Sequence, residues 1–261
     1  MAFEKGSLIF TNYTAKVKDT GEVVETTNEE EAKKLNVYDE SRRYGPRLVA
    51  VGEGWLISGL DAEVAKMQPG EKKVIELSAD KAFGMRDPTQ IRMIPLRKFG
   101  EREHEIEVGD SVDVDNRVGT VRFIGSGRAQ VDFNHRLAGK SIVYDFEVLN
   151  KVDSDEEKVK ALVDRRLGGE ASKPTVEMDG AEVKVGVPEQ LYLMEGLQIV
   201  KRGISNDVFK FVPTVADVTF VEKFANEKVQ TKKEEPKGEA PAAERVAPKP
   251  KRKKAAPAAT A

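Results

Sequence analysis

Leu8-Ile9-Phe10 and Tyr13 to Val17 have the apolar density of strands, followed by a turn at Asp19-Thr20-Gly21 and another strand through Val23-Val24. From Thr27 to Lys34 the chain passes from acidic to basic. Thr27 and Glu30 stand at capping-box spacing, and Glu29–Lys33 and Glu30–Lys34 are favourably oriented i,i+4 pairs, so a short exposed helix is expected. Gly52 and Gly54 bracket a turn that needs positive φ. Ser58 and Asp61 repeat the capping-box spacing, which starts a helix near Gly59. Leu60, Val64 and Met67 then form one apolar stripe, and Pro69-Gly70 stops the helix. Lys73, Ile75 and Leu77 alternate with Val74 and Glu76, as in an antiparallel sheet.

Beyond Gly84 the period stays at two but the turns come closer together. Val112/Val114, Val121/Phe123 and Ala129/Val131/Phe133 alternate around turns at Gly109-Asp110 and Gly125-Ser126-Gly127, which predicts a small all-β module with little core of its own. A further unit follows at 154–224. Ser154 and Glu157 cap a helix carrying Val159, Leu162 and Val163 on one face and ending at Gly168-Gly169. Asp179-Gly180 marks a hairpin between Val176/Met178 and Val183/Val185/Val187. Pro188 opens a helix, and Val218 to Val221 is a last strand, so this unit is α+β with no functional motif in it. The end of the chain, 225–261, is rich in Lys, Glu, Ala and Pro, and such composition buries too little apolar surface to order itself.

The run Val51 to Leu60, the Met67 to Glu71 helix exit and the Ala82-Phe83-Gly84 loop together resemble the FKBP-type peptidyl-prolyl cis-trans isomerases. The closing strand of that fold also appears, displaced to Gly139–Val148, after an insertion that returns through Asn134-His135-Arg136-Leu137-Ala138-Gly139. That return is similar to the re-entry of SlyD-like members, which carry an insert-in-flap module. The resemblance covers roughly 3–153, and a long-type archaeal version extends it more loosely to about 224. It implies a fold of class α+β, in which one short helix lies over a bent antiparallel sheet. An inserted small all-β chaperone module, a C-terminal α+β domain and a disordered basic tail complete the chain. The expected division is 1–87 with 134–153 for the isomerase domain, 88–133 for the insert, 154–224 for the C-terminal domain and 225–261 for the tail.

Carried over by position, the resemblance implies a pocket of Tyr13, Glu25, Leu56, Ile57, Leu60, Phe83 and Tyr144. Glu25 faces the rotating carbonyl, the Ile57 amide bonds a substrate carbonyl, and Leu60 forms the floor. Three positions depart from the family pattern. Leu60 replaces a common Trp, Phe83 replaces Tyr and loses a hydroxyl whose bond contributes about 1 kcal/mol net, and Glu25 replaces Asp. These departures leave isomerisation intact and count against tight macrolide binding. The resemblance also implies that the insert binds unfolded chains. Ile91, Met93, Ile94, Leu96 and Phe99 supply apolar surface for that purpose, although residues at these spacings also serve as a module's own core.

Composition limits the remaining possibilities. No cofactor is expected. The chain has no cysteine, which excludes disulfides, thiol catalysis and cysteine-ligated metal and fits a reducing cytoplasm. Of its two histidines, His135 is expected to brace the re-entry turn and His104 has no ligand spacing around it, so no metal is expected. Neither a signal peptide nor a membrane span is visible, so the expected setting is cytoplasmic. Net charge is −2 overall, with ten Lys/Arg against five Glu in 225–261, so the tail is basic on an acidic body. The expected partners are unfolded or proline-containing polypeptides. A homodimer through 154–224 and a weak nucleic-acid or ribosome contact through Lys249 to Lys254 are further candidates, the tail being read first as solubilising. The competing function is a catalytically weak holdase or scaffold that acts through the insert and the C-terminal domain.

Overall fold

The structure is a computed structural model that describes residues 3–169 and 173–224, and of 101–104 the backbone alone. The basic tail and the His104 side chain therefore lie outside the described residues. In chain order the elements are β1 (Leu8–Val17), β2 (Val23–Thr26), α1 (Glu29–Lys34), β3 (Arg47–Ala50), α2 (Ser58–Val64), β4 (Lys72–Leu77), β5 (Ile91–Pro95), β6 (Ser111–Val114), β7 (Arg117–Gly125) and β8 (Arg128–Asp132). They continue as β9 (Ile142–Val152), α3 (Asp155–Leu167), β10 (Thr175–Asp179), β11 (Glu182–Gly186), α4 (Leu197–Phe211) and β12 (Asp217–Val221).

The first sheet is antiparallel and is organised on β1. One edge of β1 pairs with β9 from Leu8↔Val152 to Val17↔Ile142, while the other takes β3 beside Leu8–Thr11 and β2 beside Thr14–Lys16. β4 adds to the far edge of β9. Period-two alternation divides β1 between two cores. Ile9, Tyr13, Ala15 and Val17 face one side, where they pack with Phe146, Leu60, Val64 and Met67. Leu8 and Phe10 face the other, with Leu48 and Ala50 of β3. In β9, Asn150 pairs with Phe10 and Val148 with Thr11, so Leu149 is an extra residue. This bulge reverses the facing of the strand beyond it. Ile142 to Val148 serve the first core at even positions, and Val152, also even, serves the second.

The second core is completed by Val159, Leu162 and Val163 of α3, Val183 and Val185 of β11, and Ile204 and Val208 of α4. The segment from 154 is therefore not a unit with a core of its own. It covers the back of the first sheet, and residues through Glu222 form one compact body. Its sheet has the order β10-β11-β12, with the expected hairpin and a parallel β11–β12 pair. The insert is a four-stranded antiparallel sheet, β5-β8-β7-β6, around Val121, Ala129 and Val131.

Of the three capping boxes, the structure contains one as spaced. Ser154 accepts from the Glu157 N–H at 3.3 Å. At α1 the cap is Asn28, which accepts from Glu31 N–H at 3.2 Å, because Thr27 Oγ1 is taken by the Tyr13 N–H at 3.0 Å. At α2 the cap position is Ile57, with no side-chain bond. Asp61 instead accepts from Gly52 N–H at 2.9 Å and pins the turn in which Gly52 and Gly54 have φ of 75° and 70°. Pro188 opens only a 3₁₀ turn over Glu189–Leu191, and α4 begins later, after Gly196 at φ 78°. Phe123 does not share a face with Val121. A register shift between them against β8 turns Phe123 outward to 57% exposure.

Leu162, fully buried where α3 meets the first sheet, tests the shared core. Leu162→Ala should cost about 2–5 kcal/mol. The loss should appear as a lower denaturant midpoint followed by fluorescence of Trp55, which packs against the same cluster.

Candidate functional site

The register of β1 brings three side chains together. Thr11 pairs with Arg47 and Ala15 with Glu25, so both partners flank Tyr13 from one edge and on one face. Arg47 donates to Glu25 Oε1 at 2.7 Å and also to the Tyr13 hydroxyl. The Tyr13 ring stacks on Phe146 at 5.8 Å and tilts against Tyr144 at 6.1 Å. Burial, with the Glu25 charge beside it, pushes the Tyr13 phenol up to about 12 despite Arg47. Burial does the same for Tyr144, with the Tyr13 and Glu25 charges adding to it, and that phenol also reaches about 12. Both hydroxyls are therefore neutral at physiological pH.

Phe83 approaches from the loop after β4. That loop presses on α2 at Gly59, where a Cβ would lie 2.5 Å from the Lys81 carbonyl oxygen, so a side chain there would lift the loop away. The Phe83 ring stacks on His135 at 4.8 Å with 10° between planes. His135 Nδ1 accepts from Leu137 N–H at 3.3 Å, so this histidine both braces the re-entry turn and extends the aromatic wall. Asn134 ties the two crossings into the insert together. It accepts from Asp87 N–H and donates to the Asp87 carbonyl, both at 2.9 Å. Buried Asp132 accepts from the Asn134 side chain at 2.8 Å and pairs with Arg86.

Tyr13, Glu25, Leu56 and Phe83 converge on one cleft of about 940 Å³. Leu60 does not line it. At 2% exposure it is packed beneath, because α2 lies against the first core. Tyr144 is buried behind Tyr13, and Ile57 lies half-buried at the start of α2. Of the insert residues, Ile94 is a core side chain at 8% exposure, since β5 turns it toward Ala129. Leu96 and Phe99 are partly buried against that core. Met93 is 47% exposed, and pairing through Gln130 puts it on one face with Phe123. Sequence reasoning missed Phe123 as surface, and it missed Arg47, Trp55 and His135 as cleft residues. For Arg47 only the strand register would have given the signal.

Among the described residues no group of three or more His, Asp or Glu is arranged to hold a metal, and no helix is long and apolar enough to cross a membrane.

Residues 2–98 match the family described as FKBP-type peptidyl-prolyl cis-trans isomerase, 92–137 match "FKBP26, IF domain" and 155–225 match "FKBP26_C-terminal". The chain is 30% identical over 154 residues to the short-type peptidyl-prolyl cis-trans isomerase of Methanocaldococcus jannaschii, covering 59% of this chain and 97% of that one. It is 34% identical to the FKBP-type 16 kDa peptidyl-prolyl cis-trans isomerase of Escherichia coli K12, over 40% of this chain and 72% of the relative. It is 30% identical to the FKBP-type isomerase SlyD of Helicobacter pylori, over 48% and 70% of the respective chains.

The two raised phenols give a pH signature. Each folded value lies above the ordinary 10.0, so the stability it contributes is intact below pH 10 and is lost as pH rises toward about 12. In a spectrophotometric titration of phenolate absorbance, Tyr13→Phe and Tyr144→Phe should each remove one late-titrating tyrosine.

Proposed function

Because the chain belongs to the FKBP-type peptidyl-prolyl cis-trans isomerases, we propose that it twists X-Pro bonds in the cleft beside Tyr13 and Phe83 while the insert holds the unfolded client. The observation that carries this reading is a cleft walled by Tyr13, Leu56 and Phe83, next to an Ile57 N–H with no partner among the described residues. The barrier to X-Pro rotation, about 20 kcal/mol, arises from resonance in the amide. An apolar wall disfavours the charge-separated planar form, and a clamp on the proline ring leaves the preceding carbonyl free to turn. Binding that is tighter for the twisted bond lowers the barrier without a covalent step. The Ile57 N–H holds a substrate carbonyl. Glu25 is tied to Arg47, so it acts as part of a fixed dipole facing the rotating carbonyl, not as a free base.

Capture by the insert is supported by the exposed Met93 and Phe123 with Gln130 between them, an apolar surface of adaptable shape. The isomerase domain comprises 1–87 with 134–153, the insert 88–133, the C-terminal domain 154–224 and the tail 225–261. Leu193 and Ile199, 99% and 79% exposed, support a homodimer through the C-terminal domain. The run Lys249 to Lys254 supports a weak nucleic-acid contact.

Phe83→Ala should lower turnover of a proline tetrapeptide about tenfold, the rate equivalent of ~1.4 kcal/mol of apolar contact, in a protease-coupled assay. Unchanged turnover would remove Phe83 from the pocket. Asp87 and Asn134 are already hydrogen-bonded, so a short Gly linker can replace 88–133. That deletion should abolish catalysed refolding of a proline-limited protein while sparing tetrapeptide turnover. Loss of both activities, or of neither, would overturn the division of labour.

A further inference from the structure

The cleft does not end at the aromatic wall. It continues to α3, where Ala161 and Arg165 line it, and its rim carries Arg42, Arg43, Arg47, Arg136, Arg165 and Arg166. Four of these are committed to carboxylates: Arg42 to Asp39, Arg43 to Asp164, Arg47 to Glu25 and Arg166 to Asp207. Arg136 and Arg165 have no carboxylate partner among the described residues. Arg136 comes from the re-entry loop beside His135. Arg165 comes from the second-core helix and is held with its guanidinium 3.8 Å from the centre of the Trp55 ring. Trp55 immediately precedes Leu56 and Ile57, and its own ring is fixed edge-on by Phe211 at 5.6 Å. The C-terminal segment therefore delivers an oriented cation, stacked on an aromatic, to the rim of a cleft whose other wall binds proline.

We infer that the cleft favours polypeptides with an acidic side chain within a few residues of the isomerised proline, its carboxylate received by the Trp55-stacked Arg165 and by Arg136. This rests on the reading of the cleft as the prolyl site and adds a substrate class to it. A stacked guanidinium keeps its N–H edge free, and that edge matches a carboxylate in bidentate geometry. Burial and the neighbouring Arg166 and Arg47 charges lower the Arg165 pKa although the Asp207 carboxylate works against them, and that carboxylate is bonded to Arg166. A client carboxylate supplies an uncommitted anion. A basic residue at the same place would meet two uncommitted cations and be rejected.

The experiment uses the full chain and paired proline peptides with one Glu, or its Gln isostere, placed at successive positions on either side of the proline. Two quantities are read: kcat/KM for isomerisation, and binding by emission of Trp55, the single tryptophan of the chain. At low salt the best-placed Glu peptide should exceed its Gln partner about three- to fivefold in both, the range of one exposed ion pair. The ratio should fall toward one in 0.5 M NaCl, used as about the concentration that screens such pairs, and toward one in Arg165→Gln. It should be partly retained in Arg165→Lys. A Glu/Gln ratio of one at every position, or a ratio untouched by Arg165→Gln and Arg136→Gln together, overturns the proposal. Oligonucleotide binding that shifts Trp55 while Glu and Gln peptides bind alike would reassign the rim to nucleic acid and also overturn it. A Glu preference in binding without turnover of any peptide would sustain this inference and fail the prolyl reading instead.

Discussion

One strand with two committed faces underlies the whole body. β1 cannot be moved by a single residue without exchanging Ile9, Tyr13 and Val17 for Leu8 and Phe10. Both faces are buried, so the register is specified from both sides at once. The Leu149 bulge in β9 is what lets that strand contribute to the second face as well as the first. Without it Val152 would point toward the first core and leave the back of the sheet open beneath α3.

The same register builds the cleft. Because Arg47 and Glu25 pair with residues two positions either side of Tyr13, one guanidinium serves both a carboxylate and a phenol. The arrangement holds the Tyr13 ring against Phe146 and fixes the Glu25 carboxylate at the cleft. Phe83 is set independently, by the loop that Gly59 allows to lie close on α2. The next residues of that loop lead to Asp87 and the Asn134 stitch. The chain thus leaves for the insert from the edge of the cleft and returns to it through His135, which stacks on Phe83.

The C-terminal segment has a second consequence beyond covering apolar surface. Seating α3 on the back of the sheet carries Arg165 round to the rim and gives Trp55 partners on two sides. Arg43 closes the same seam by bonding the Asp164 carbonyl at 2.9 Å and its carboxylate at 2.5 Å. The packing of α3 and the lining of the cleft are therefore joined. A body lacking 154–222 would lose the apolar cover behind β1 and the α3 wall of its cleft together.

Much of this was legible in the residues alone. Local signals were sufficient wherever one short segment decided the outcome: the Gly52-Gly54 turn, the Leu60/Val64/Met67 stripe, the Ser154 cap, the Asp179-Gly180 hairpin and the apolar loop at Phe83. They failed where a distant group competed for the same atom. Thr27 and Ser58 had the spacing of caps, but β1 claimed the Thr27 hydroxyl and the Gly52 turn claimed Asp61. Alternation likewise misassigned Phe123, since a bulge changes parity, and it left Ile94 open between surface and core because β5 was not apparent as a strand. By itself the sequence determined the family resemblance, the site of the insertion and the type of most elements, because these depend on residues near one another in the chain. Only the tertiary structure decided that two cores share β1, that Leu60 is covered while His135 faces the cleft, and that Arg47 and Arg165 stand at its rim. Those outcomes depend on register and on the docking of α3, which bring together positions as far apart as Trp55 and Arg165.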